Sequence, residues 1–209
     1  MQGQVKGWRF LIWVALALAI GVPIAFAAAS EQLAWRGPIY ILASFAGIIA
    51  LGLVLVQPLL IGGYLPGPSA YRNRRTHQWI GGALALAVVI HVAGLWFTSP
   101  PDMIDALTFS SPTPFSPFGV ITMWAVFAVA LLASLRRRLG LRLRLWRFVH
   151  IPLAIVIVVA GVVHCLLIEG TMETISKAVL CALVLAATIK VLADLWRKRA
   201  VRGESAARQ

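Results

Sequence analysis

The chain holds four histidines, His77, His91, His150 and His164, and they fall into two pairs, each separated by 14 residues. At ~100° per residue, 14 helical steps end within ~40° of whole turns, so each pair occupies one helix face. At ~1.5 Å rise per residue the two members stand ~21 Å apart along the axis. If the two helices run in the same direction, His77 is level with His150 and His91 with His164. Two rungs of facing imidazoles result. An iron in a flat macrocycle takes one axial ligand from each side, so two helices with inward histidines can clamp one haem per rung. Ligation by two histidines leaves no iron position open and favours electron transfer. Gly81, Gly82, Gly94 and Gly161 lie on or near these helices and offer room for a macrocycle. The plainer alternative is interhelical hydrogen bonding by satisfied histidines. A third is a proton or metal pathway in a transporter, and a fourth is a non-catalytic membrane assembly subunit.

The elements that position these residues follow from composition. The chain has 209 residues, 60% apolar and 12% charged, with a net charge of +12. Soluble domains carry about 25% charged residues, and a bilayer span needs ~20 mostly apolar ones. Six stretches qualify, at about 8–29, 39–64, 77–98, 118–135, 148–168 and 175–196. They are too long and too continuously apolar for barrel strands. The fold class predicted is all-α: an integral membrane six-helix bundle forming one domain over residues 1–209. Its third and fifth spans, which carry the histidines, run in the same direction.

Charge sets the orientation. Lys6, Arg9, Arg72, Arg74, Arg75, Arg136, Arg137, Arg138, Arg142, Arg144, Arg147, Lys190, Arg197, Lys198, Arg199, Arg202 and Arg208 fall on one side, 17 of the 19 basic residues. The other side has only Arg36 and Lys177, with Glu31, Asp102, Asp105, Glu169 and Glu173. Both termini are therefore expected in the cytoplasm, in a multi-pass protein of a bacterial inner (plasma) membrane. Trp8, Trp35, Trp79, Trp96, Trp146 and Trp196 sit near span ends, as an aromatic belt requires. The net charge thus needs no nucleic acid; it orients the chain, sits against anionic lipid and offers a dock for an acidic partner. The first span also resembles a signal peptide ending in small residues, but its length favours a retained helix.

No Gly-x-Gly-x-x-Gly fingerprint, phosphate loop or Cys-x-x-Cys-His appears. Arg75 and Arg147, with Arg72 and Arg74, flank the inner rung and are candidates for bidentate pairing with haem carboxylates; Arg36 and Lys177 are the outer candidates. Cys165, beside His164, reads as packing, as do Trp96, Trp124 and Phe127. Asp102 and Asp105 read as a solvated loop. The proline after His150 is expected in a first helical turn, which places His150 at the very start of its span. Lys190 and Asp194 are spaced to pair.

With six spans, His77–His91, His150–His164, the stretch Trp146-Arg-Phe-Val-His150 after an Arg-rich loop and Ser116-Pro-Phe-Gly119, the chain resembles the ferric reductase-like transmembrane domain. That is the membrane part of ferric reductases and NADPH oxidases, similar also to the haem subunit of bacterial methionine sulfoxide reductase systems. The resemblance implies two b-type haems, with metal ligands His77, His91, His150 and His164. Electrons would pass from a cytoplasmic flavin through an inner and an outer haem to an external or periplasmic acceptor. Larger relatives carry a flavin and NADPH domain after the last span, where 13 residues follow Trp196 here. The expectation is an oxidoreductase membrane subunit served by a separate flavin reductase carrying FMN or FAD.

Overall fold

A computed structural model describes residues 2–67, 69–136 and 138–207, with side chains described between residues 7 and 198. Arg137 and Arg208 of the basic set, and the side chains of Lys6, Arg199 and Arg202, lie outside what is described. Seven α-helices follow one another among the described residues: α1 (Gln2–Ala28), α2 (Pro38–Gly62), α3 (Ala70–Thr98), α4 (Pro100–Leu107), α5 (Ser116–Leu135), α6 (Leu143–Leu167) and α7 (Thr174–Ala207). Six of them are long and apolar enough to cross a membrane, all except the eight-residue α4. Their outward faces carry Leu18, Leu42, Leu86, Ile90, Trp124, Val159 and Leu183, all exposed. In water that would be a severe liability, and against lipid tails it is the expected surface. The chain is a multi-pass integral membrane protein.

Local chemistry sets the helix ends. Pro38 opens α2 behind Gly37, and Gly63 closes it at φ 72°, the left-handed conformation that glycine tolerates. Ser69 caps α3 by accepting from the Arg72 backbone N–H. Ahead of α7, the Glu173 carboxylate accepts from the N–H groups of Ile175 at 2.7 Å and Ser176 at 2.6 Å. Those bonds, Ser176 first, hold the Glu173 carboxyl below the usual carboxylate range.

Three expectations change. The region of Asp102 and Asp105, read as a solvated loop, contains α4, which Pro100 and Pro101 start rather than prevent. The third span begins seven residues before His77, at Ala70. Pro152 does not lie in a first turn: it lies inside α6, which starts at Leu143, so His150 sits two turns into its helix. Membrane helices accommodate an internal proline because neighbouring groups satisfy the carbonyl it frees; the rule for water-soluble helices misplaced this boundary.

The bundle is assembled from two intimate pairs, α2 with α3 and α5 with α6; α7 packs on α2 and α6, and α1 on α2 and α7. Small residues permit the closest approach. A Cβ on Gly94 would stand 2.7 Å from the Cβ of Ala43, so α2 and α3 touch backbone to backbone there. By contrast, α3 and α6 are not a packed pair among the described residues. The two histidine-bearing helices face each other across a gap that side chains must fill.

Candidate haem-binding site

The structure brings His77 close to His150 and puts His91 and His164 on one cavity. At the basic end of the bundle the rings of His77 and His150 lie 6.2 Å apart between centroids, with their planes at 80°. Toward the opposite end, His91 and His164 line one cavity of about 950 Å³. Its deeper wall is apolar: Leu84 and Val88 from α3, Val126 from α5, and Ile157 from α6. These residues occupy the layer between the two rungs.

The outer imidazoles are held by the same device twice. His91 Nδ1 lies 2.8 Å from the carbonyl oxygen of Ala43, and His164 Nδ1 lies 2.9 Å from that of Phe115. A carbonyl only accepts, so Nδ1 carries the proton in each ring and Nε2 keeps its lone pair. Four residues beyond each carbonyl comes a glycine. A Cβ on Gly47 would lie 2.9 Å from His91 Nδ1, and one on Gly119 would lie 2.6 Å from His164 Cε1. Each ring therefore lies over a glycine and bonds the carbonyl one turn earlier. This is the outer-shell pattern of a metal-ligating histidine, with ring orientation and tautomer set before any ligand arrives.

The inner pair is held differently. His77 Nδ1 and His150 Nδ1 are buried without a hydrogen-bond partner, as are Gln57 Oε1 and Asn73 Oδ1 at the same end of the bundle. Trp146, one turn before His150, stacks on its ring at 4.9 Å between centroids and 17° between planes. The Arg136 guanidinium lies over the Trp146 ring, 5.3 Å from its centroid.

The flanking candidates divide. Arg72 and Arg75 line a cavity of about 380 Å³ with Gly67, Thr76 and Trp79, at the end of α3 that carries His77. Arg74 and Arg147 are exposed. At the outer cavity, Arg36 stacks on Tyr40 at 4.4 Å, while Lys177 is buried and donates to the Ile168 carbonyl at 2.7 Å. Both line the cavity, as do Cys165, Asp102 and Asp105. Lys190 and Asp194 pair at 2.7 Å, and Tyr64 donates to the same carboxylate, tying the end of α2 to α7. Of the glycines singled out from sequence, Gly94 makes a helix contact and Gly82 faces open space. Gly47 and Gly119, which seat the outer rings, went unassigned; Gly119 was visible only as part of the Ser116–Gly119 stretch.

The donor set fits a haem on each rung. The inner imidazoles stand 6.2 Å apart between centroids, α3 and α6 are not a packed pair among the described residues, and the outer rings open onto a cavity of small-molecule size. Among the described residues no group of three or more His, Cys, Asp or Glu converges as a metal cage would require. The class is thus a helical membrane protein with paired histidines on two spans. The family Ferric reductase like transmembrane component matches residues 46–161, just over half of the chain, and the chain belongs to that family. The match takes in His77, His91 and His150 and ends three residues before His164. Comparison with curated proteins and with solved structures returned no match.

Proposed function

We propose that this chain carries electrons across a bacterial inner membrane on two b-type haems. His77 and His150 hold the inner one and His91 and His164 the outer one. The donor is a cytoplasmic flavin reductase with FMN or FAD, and the acceptor lies on the external or periplasmic side. The observation that carries this reading is the outer pair: two rings on unpacked helices, each committed through Nδ1 to a carbonyl, so that two Nε2 lone pairs are left for a ligand between them. Membership of the ferric reductase-like family supports it.

When bound, the haems supply one-electron carriers in series. The protein supplies the rest. Leu84, Val88, Val126 and Ile157 keep water and charge out of the layer between the rungs. Arg72 and Arg75 at the inner end, and Arg36 and Lys177 at the outer end, offer donors for carboxylates at the membrane edges. The basic loops support a cytoplasmic location for both termini and would give an acidic flavoprotein a surface to dock on.

The test is haem content of the purified chain. Two non-covalent haems per chain are expected. A ratio near one at demonstrated full occupancy contradicts the two-rung reading, and a stable colourless protein dismisses it.

A further inference from the structure

Outer and inner imidazoles need the same service, a fixed ring plane, and the fold supplies it in two ways. Each outer ring is anchored by a hydrogen bond from Nδ1 to a main-chain carbonyl. The inner ring of His150 has no such bond. Yet the planes of His77 and His150 stand 80° apart, and an imidazole with no bond at Nδ1 turns freely about its Cβ–Cγ axis unless packing stops it. The packing against His150 is the flat face of Trp146 at 4.9 Å. These two residues are one helical turn apart, so their side chains meet. The indole is itself covered by Arg136. That guanidinium reaches it because the loop after α5 folds back, with Gly140 at φ 57° and the Leu141 N–H donating to the Arg136 carbonyl at 3.2 Å.

We propose that Trp146 is a positioning residue for the inner haem: stacked on His150 and covered by Arg136, it sets the His150 ring plane nearly perpendicular to that of His77. The inference rests on the haem reading above. It gives Trp146 a duty beyond its place in the aromatic belt, and it ties that duty to the spectrum of the inner haem. Ferric iron between nearly perpendicular imidazoles gives a strongly anisotropic low-spin electron paramagnetic resonance signal with a large g-maximum. Turning one ring toward the other converts it to an ordinary rhombic signal.

The experiment is a low-temperature spectrum of the ferric, haem-loaded chain and of three variants. His91→Ala identifies the inner signal as the one that survives. Trp146→Phe keeps a flat face and is expected to retain the large g-maximum. Trp146→Leu keeps bulk without a flat face and is expected to shift the inner signal toward the rhombic type or broaden it. The outer signal and the haem-to-chain ratio should both stay unchanged. An inner signal unaltered in Trp146→Leu with two haems bound overturns this inference alone, as does an equal shift in Trp146→Phe. If Trp146→Leu sheds the inner haem, retention of haem with an unshifted signal in Trp146→Phe upholds the proposal, and loss in both overturns it. A parent chain that binds no haem overturns the haem reading itself.

Discussion

His91 donates from Nδ1 to the Ala43 carbonyl at 2.8 Å, and it reaches that carbonyl because Gly47, one turn along α2, has no side chain in its way. His164, Phe115 and Gly119 repeat the relationship on α5 and α6. Two helices without histidine, α2 and α5, thus aim the outer rings.

Gly47→Ala and Gly119→Ala test that arrangement. Their Cβ atoms would meet the rings at 2.9 and 2.6 Å, and overpacking of this kind costs ~1–3 kcal/mol or displaces the ring. Either variant is expected to lower haem content from two toward one while the inner haem remains. Gly82→Ala, whose Cβ would meet nothing within 4 Å, should behave as the parent chain. Pyridine haemochrome assay of the three proteins checks it.

His91→Ala and His77→Ala should stall electrons at different depths. The first leaves an inner haem that the cytoplasmic donor still reduces, while external acceptor reduction stops. The second blocks uptake from the donor and leaves an outer haem that only a small chemical reductant reaches. Stopped-flow absorbance with each reductant separates the cases. Equal, full acceptor activity in both would return the histidines to structural hydrogen bonding.

How much of this was legible in the sequence depends on distance along the chain. The 14-residue spacing is a property of one helix, and helical period together with the shared direction of the third and fifth spans placed His77 level with His150. The span count and the Lys190–Asp194 pair were legible for the same local reason. Gly47 and Gly119 were not read as ring seats, because a glycine takes its meaning from the helix packed on it, and His91 and His164 lie more than forty residues from their carbonyls. The start of α6 was misplaced because Pro152 was judged by the habits of helices in water. The role of Trp146 needed the loop fold that brings Arg136 over it.

NADPH alone should not reduce the haems, and an added flavin reductase should. If the arginines between Arg136 and Arg147 steer an acidic donor, the reduction rate falls as salt rises, since screening shortens to ~8 Å at physiological ionic strength. Fast reduction by NADPH with no flavoprotein present, or a rate indifferent to salt, counts against this route.

Glu173 should make the start of α7 pH-dependent. Its carboxyl is held below the usual range, chiefly by the Ser176 N–H and then by that of Ile175. A depressed folded-state pKa means the stabilisation is complete above the ordinary glutamate range and is lost as pH falls through the lower folded value. The protection of the Ile175 and Ser176 amides, relative to intrinsic exchange at the same pH, should fall on acidification in the parent chain, and Glu173→Gln should flatten that dependence.

The most direct measurement is a reductive titration of the purified chain followed by absorbance, with haem counted per chain. Two b-type haems, each lost separately when its own pair is broken (His77 or His150 for one, His91 or His164 for the other), are the predicted result. One haem at full occupancy, or two haems that survive the loss of any one histidine, would contradict the two-rung account.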